Sequence, residues 1–169
     1  MLFIEINSDD QPAVAELSNL ASSILREYYD PLLGPEQNTY MIDKFQSVPG
    51  ILGHMKKGAV YIVLRVEDQD DPIGFFAYEI HEDALYLSKF YFTNKSRSRG
   101  FSRPVIRELD HIARSHQLPV CRLNVNKYNP SIKVYERLGF KIVKSEVNDI
   151  GHGYVMDDYV MERVIPPAE

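Results

Sequence analysis

Two stretches of this chain hold residues able to do chemistry. The first, Arg97-Ser98-Arg99-Gly100-Phe101-Ser102, follows an aromatic-rich run from Leu85 to Phe92. It precedes Val105, Ile106, Leu109, Ile112, Ala113 and His116, which recur at helical spacing. A glycine-punctuated turn from strand to helix aims several backbone N–H groups, and the positive end of a helix dipole, at one point that suits a phosphate. Gly100 permits close approach, and Lys95, Arg97, Arg99 and Arg103 add positive charge to an otherwise acidic chain. Pro104 has no N–H, so the donors come from residues ahead of it. The run lacks the Gly-Lys-Ser/Thr of a nucleotide P-loop and the three glycines of a dinucleotide fingerprint. The second stretch is Leu123-Asn124-Val125-Asn126-Lys127-Tyr128-Asn129-Pro130, continuing to Tyr135-Glu136-Arg137-Leu138-Gly139-Phe140. By itself it reads as a strand, a helix capped at Asn129-Pro130 and a second strand, with Tyr135 either a packed aromatic or a phenol available for proton transfer.

These residues need elements to hold them. Leu2 to Ile6 reads as a first strand, and Asn7-Ser8-Asp9-Asp10 offers N-caps for a helix ending at Tyr28-Tyr29-Asp30-Pro31. Gln37 to Phe45 reads as a second helix and Pro49 to Lys57 as a candidate third, closed by Gly58. Ala59 to Val66, Ile73 to Ile80 and Ala84 to Phe92 form a meander of strands. The helix after the basic turn leads to a strand from Pro119 to Asn126, then a helix from Pro130 to Leu138 stopped by Gly139. Strands near Phe140 to Val147 and Tyr154 to Val164 flank a turn at Asp149-Ile150-Gly151-His152-Gly153. The order, β-α-α-β-β-β-α-β-α-β-β, predicts an α/β (α+β) domain over residues 1–169, a mixed central sheet of about seven strands flanked by helices.

Bulk properties narrow the function. A chain of 169 residues fits one domain that buries roughly 70% of its unfolded surface. The net charge of -5 argues against nucleic acid and for a small cationic substrate. No apolar run is long enough for a membrane span, and the start lacks a basic, then apolar, leader. One cysteine excludes an internal disulfide and supplies no metal cluster, so a cytoplasmic location and no metal are expected.

Taken together, the Arg97–Ser102 turn and the Tyr135-Glu136-Arg137-Leu138-Gly139-Phe140 run resemble the GNAT N-acetyltransferase superfamily, whose element order this chain also follows. Ser102 stands where that family has Gly or Ala, and its small side chain keeps close approach open. The loop from Asn129 to Tyr135 is one residue shorter than the family's commonest spacing, so Asn129 reads as a coenzyme contact or as a plain N-cap. The resemblance implies acetyl-CoA as donor, its pantetheine arm against the backbone of Phe90, Tyr91 and Phe92. It implies a pyrophosphate held by Arg97, Ser98, Arg99, Gly100, Phe101, Ser102 and Arg103, and a thioester in a gap between the fourth and fifth strands.

The same resemblance places Tyr135 near the coenzyme sulfur. A phenol of pKa about 10 can protonate a departing thiolate whose conjugate acid lies near 8.5. A strand N–H near Phe90–Phe92 is expected to meet the oxyanion. Tyr28, Tyr29 and Tyr40 lie where the family's first helices wall the acceptor pocket, so they read either as shaping that pocket or as ordinary amphipathic helix packing. Asp149, His152, Asp157 and Asp158 gather at the last hairpin, which in the family borders the acceptor, and Asp157 or Asp158 is expected to contact the amine. Glu79 and His81 alternate along the third strand as base candidates or as a solvated edge. Cys121 shares a strand face with Leu123 and Val125, which points to burial and to direct transfer rather than an acyl-cysteine.

The implied function is acetyl transfer to a primary amine, such as a polyamine, amino acid, aminoglycoside or peptide amine. The alternatives are a non-catalytic acyl-CoA sensor of the same fold and, more weakly, an RNA-associated module using Lys95 to Arg103. The family also makes a homodimer through the C-terminal strands an expectation here.

Overall fold

The computed structural model describes residues 1–168. In chain order it contains β1 (Leu2–Glu5), α1 (Gln11–Leu33), α2 (Pro35–Phe45), α3 (Val48–Lys56), β2 (Val60–Arg65), β3 (Gly74–Ile80) and β4 (Leu85–Phe92). There follow α4 (Ser102–Ser115), β5 (Val120–Asn126), α5 (Ser131–Arg137), β6 (Lys141–Gly151) and β7 (Tyr154–Val164). The sheet has seven strands in the order β1-β2-β3-β4-β5-β7-β6. It is mixed, with β4 and β5 parallel and the β1–β2, β2–β3, β5–β7 and β6–β7 pairs antiparallel. The chain forms two compact units, one of residues 1–78 and 89–99, the other of residues 79–88 and 100 onward.

In the first unit, Asp10 caps α1 by accepting from the Ala13 N–H at 3.2 Å. Val14, Leu17, Ala21 and Ile24 bury one face of α1 with Tyr61 and Val63 of β2 and Phe75 and Ala77 of β3. The expected stop at Tyr28–Pro31 is corrected, because α1 runs through Pro31 to Leu33. Pro31 is exposed, and the next turn still closes, since the Gly34 N–H donates to the Asp30 carbonyl at 3.0 Å. Asn38 of α2 also donates to the Leu25 carbonyl and to Asp30 Oδ1, at 2.9 and 2.7 Å, tying down the proline-containing turn. The third helix is real and stands ahead of β2, one more than the two-helix order supplies; Ser47 caps it through the Gly50 N–H.

In the second unit, α4 buries Val105, Ile106, Leu109 and Ala113, and β5 alternates strictly, with Cys121, Leu123 and Val125 buried. Arg122, Asn124 and Asn126 therefore point to the opposite face. Register carries that face across the sheet, because Arg122, Asn124 and Asn126 pair with Glu162, Val160 and Asp158 of β7. Lys144 and Glu146 of β6 pair in turn with Val160 and Asp158. Arg163 of β7 forms a part-buried ion pair with Asp110 of α4 and donates from Nε to the Leu138 carbonyl at 2.8 Å. β6 extends to Gly151, beyond the expected end near Val147, so the hairpin turn narrows to His152-Gly153, both at positive φ.

Candidate active site

The basic turn begins with a 3₁₀ turn at Asn94–Ser96 and enters α4 at Ser102. Ser98 and Gly100 have φ of 61° and 80°, so backbone N–H directions alternate in the manner of anion-binding nests. Residue Phe101 occupies the N-cap position and makes no side-chain cap hydrogen bond. The 14-residue helix thus starts without the side-chain acceptor that Ser, Thr, Asp or Asn would supply. Arg99 and Arg103 are exposed. Arg97 instead turns inward, where Nε donates to the Phe92 carbonyl at 3.2 Å, Nη1 to Asn94 Oδ1 at 3.3 Å, and the guanidinium lies 4.8 Å from the Tyr28 ring centroid.

Tyr135 sits half-buried on α5, its ring edge-on to the buried Phe140 at 5.7 Å. Asn129 is buried, and its Oδ1 accepts the Ser131 N–H at 2.8 Å, so its side chain shapes the entry to α5.

In the first unit, Phe90 and Phe92 pack edge to face at 5.3 Å. Tyr91 contacts Phe75, and its hydroxyl lies 3.3 Å from that of Tyr29, which is edge-on to Tyr28. Tyr40 receives Lys44 Nζ at 3.5 Å. Sequence reasoning missed a neighbouring polar group here: Lys89 donates to the Tyr61 hydroxyl at 2.7 Å and lies 3.2 Å from His54 Nδ1. No local spacing links residues on α3, β2 and β4.

The second unit separates the two aspartates of the last hairpin. Asp157 pairs with Lys127 at 2.8 Å. Asp158 points to the other face and is 2% exposed, and its Oδ1 has no hydrogen-bond partner. Its Oδ2 is 3.5 Å from Asn124 Nδ2, and burial pushes its carboxyl above the ordinary carboxylate range. The same Asn124 amide donates to Glu146 Oε2 at 3.0 Å, and that hydrogen bond, with those from Lys144 and Asn148, pulls Glu146 below its usual value. Tyr86 donates to Asn124 Oδ1 at 2.9 Å. Tyr86, Asn124 and Glu146 border a cavity of about 650 Å³ that Asp83, Arg122, Lys144, Asn148 and Glu162 also line, while Asp158 is not part of its lining. Sequence reasoning missed Tyr86, Asn124 and Glu146; the polar half of β5's alternation was their only signal. Glu79 and His81 lie 3.3 Å apart, and the His81 ring stacks on Tyr86. Cys121 is 1% exposed, with its thiol pushed up to about 12 by burial.

The model of the acetyltransferase (GNAT) family matches residues 19–140, which takes in both chemical stretches. The chain belongs to the GNAT acetyltransferase family. It is accordingly an acyltransferase. Solved structures share the fold of this GNAT protein at low identity. The PaiA N-acetyltransferase from Thermoplasma acidophilum, in complex with coenzyme A, is 17% identical over 97% of this chain and 99% of its own, with a TM-score of 0.75. An aminoglycoside 6'-N-acetyltransferase complexed with coenzyme A is 16% identical, covering 100% of this chain and 99% of its own, at a TM-score of 0.63. Tetrahymena GCN5 is 15% identical, over 100% of this chain and 99% of its own, at 0.66. None of the curated proteins matches this acetyltransferase as a relative. Among the described residues, no helix is long and apolar enough to cross a membrane, and no group of His, Cys, Asp and Glu is suited to a metal ion.

Proposed function

We propose that this GNAT acetyltransferase moves an acetyl group from acetyl-CoA to a primary amine by direct transfer, with Tyr135 as general acid. The observation that carries the reading is the start of α4: positive φ at Ser98 and Gly100, then a helix with no side-chain cap. That arrangement fits a pyrophosphate, and two neighbours of the same fold were solved with coenzyme A.

Acetyl-CoA, when bound, supplies an activated acetyl thioester. The N–H groups of Ser98, Arg99, Gly100, Phe101, Ser102 and Arg103 hold its diphosphate, with the Arg99 and Arg103 side chains adding charge. Arg97 braces the turn from within, through Phe92, Asn94 and Tyr28. The backbone of Phe90, Tyr91 and Phe92 takes the pantetheine arm and offers an N–H to the oxyanion. Tyr135 delivers its phenolic proton to the departing sulfur. The buried Cys121 favours direct attack by the amine over an acyl-cysteine. Asn129 serves as the turn that places α5.

A lone buried cysteine supports a reducing, cytoplasmic setting. The exposed Ile142, Val143 and Val147 on β6, the terminal strand of the sheet, support a homodimer through the C-terminal strands.

The test is acceptor-dependent thiol release from acetyl-CoA across polyamines, amino acids, aminoglycosides and short peptides, alongside calorimetric binding of coenzyme A. Tyr135→Phe is expected to lower kcat by about 10²–10⁴-fold with coenzyme binding nearly unchanged. Undiminished turnover would remove Tyr135 from the mechanism, and coenzyme binding without any thiol release would favour a sensor.

A further inference from the structure

The two terminal strands of the sheet are built differently. β1 has four residues, a short edge of the kind that resists further pairing, whereas β6 has eleven. β6 is paired by β7 on one side only, and Lys141 to Ser145 and Val147 to Asp149 are exposed, so both faces of the strand reach solvent. No proline interrupts it. In an antiparallel ladder every second residue turns its N–H and C=O away from the neighbour, which leaves β6 an open row of donors and acceptors. The valines add apolar surface to that row. Val147 is 65% exposed, and the half-exposed Val143 stands in a bulge outside the β7 ladder.

The order of charges along β6 says what fits this edge. Lys141, Lys144, Glu146 and Asp149 run from cation to anion, so the strand read backwards complements itself. A two-fold antiparallel pairing centred on Ser145 sets Lys144 against the partner's Glu146, and Glu146 against the partner's Lys144. Lys141 and Asp149 oppose one another further out, and Val147 meets the bulge at the partner's Val143. Moving the centre one residue toward the N-terminus sets Lys144 against the partner's Lys144. One residue the other way sets Glu146 against the partner's Glu146, and both shifts are repulsive. Lys144 and Glu146 already lie 3.0 Å apart within one chain, so the second copy extends an existing ion pair and buries no lone charge. Exposed ion pairs hold little by themselves. The charges therefore choose the register, while backbone hydrogen bonds and valine burial hold the copies together.

We propose that β6 is the homodimer interface, two copies joining their sheets edge to edge through antiparallel β6 strands with the two-fold axis at Ser145. The inference rests on the homodimer reading above and adds the strand, its direction and its register. A foreign strand has no reason to match this charge order, and a second copy of the chain carries it.

Sedimentation equilibrium of the full chain, with disulfide trapping by a copper–phenanthroline oxidant, tests this. The parent is expected to be a dimer. Ser145→Cys is expected to yield a covalent dimer, because facing residues of an antiparallel pair have Cα atoms about 4.5–5.5 Å apart, within disulfide range. Val147→Cys faces the partner's Val143 and is expected to trap far less, and the native Cys121 is buried. Lys144→Glu, which sets like charges across the axis, and Val147→Lys, which puts a charge on the free edge, are each expected to weaken dimerisation by about tenfold or more. Both positions are exposed, so neither change threatens the fold. A monomeric parent would overturn this proposal together with the homodimer reading. A dimer that Val147→Lys dissociates, but that is trapped at position 147 and not at 145, would overturn the register and keep the C-terminal strands. A dimer indifferent to both charge substitutions would overturn the β6 interface and move the homodimer to another surface.

Discussion

Asp158 and Glu146 receive hydrogen bonds from the same amide, Asn124 Nδ2, yet their carboxyls are displaced in opposite directions. Burial dominates at Asp158 and raises it above the ordinary 3.8, so the folded chain holds that proton more tightly than the unfolded chain does. Its ionisation is therefore a cost to stability, absent at low pH and complete above the raised value. Asp158→Asn should increase Tm at pH 7, with the gain shrinking as the pH is lowered toward 3.8. Glu146 has the opposite sign. Its stabilisation is full above the usual 4.5 and is lost as the pH falls through the lowered value, so Glu146→Gln should decrease Tm at pH 7 and converge with the parent in acid. Thermal melts of both variants against pH check the pair. Cys121, its thiol at about 12, should resist alkylation in the native protein and react fully in denaturant, as a timed thiol titration would read.

Elements meet through a few contacts that tolerate little change. Gly74 opens β3, and a Cβ there would lie 2.2 Å from the Tyr91 carbonyl and 3.0 Å from Phe92 Cα. Both obstacles are backbone, so Gly74→Ala must displace the end of β4; the expected cost is about 1–3 kcal/mol in chemical denaturation. Because Phe90–Phe92 is also the proposed pantetheine strand, coenzyme affinity should fall with it. Asp110 on α4 meets Arg163 on β7 with both side chains mostly buried. Asp110→Ala leaves that guanidinium without its carboxylate, and the expected loss is about 3–5 kcal/mol, read by the same denaturation curves. The course of α1 through Pro31 belongs to this scale too. Proline chemistry argues for a stop, but Asn38 and Gly34 supply the neighbouring backbone and side-chain bonds that let the helix continue.

For the whole molecule, the excess of 24 acidic over 19 basic residues gives a field that attracts cations. If the acceptor carries more than one ammonium group, its apparent KM should rise as ionic strength goes from about 0.01 to 0.15 M, where the Debye length shrinks from about 30 to 8 Å. A monoamine should respond less, and the comparison of the two KM series checks this. The family and element order were legible because they lie in local patterns: the strand alternation of β5, the helical period of α4, and the short spacings around Gly100 and Tyr135. The polar cluster around Asn124 was not legible, since Tyr86, Asn124, Glu146 and Asp158 come from four different strands.

Hydrophobic periodicity and turn chemistry act between residues close along the chain, which is why the sequence by itself determined most of the strands and helices, the glycine turn ahead of α4 and the GNAT family. Which of two adjacent aspartates is neutralised depended on β7 pairing. That register turns Asp157 toward Lys127 and leaves Asp158 buried beside Asn124, across from Glu146. Only the tertiary structure decided it, because burial and cross-strand neighbours are properties of the assembled sheet and a one-residue slip would exchange the two side chains.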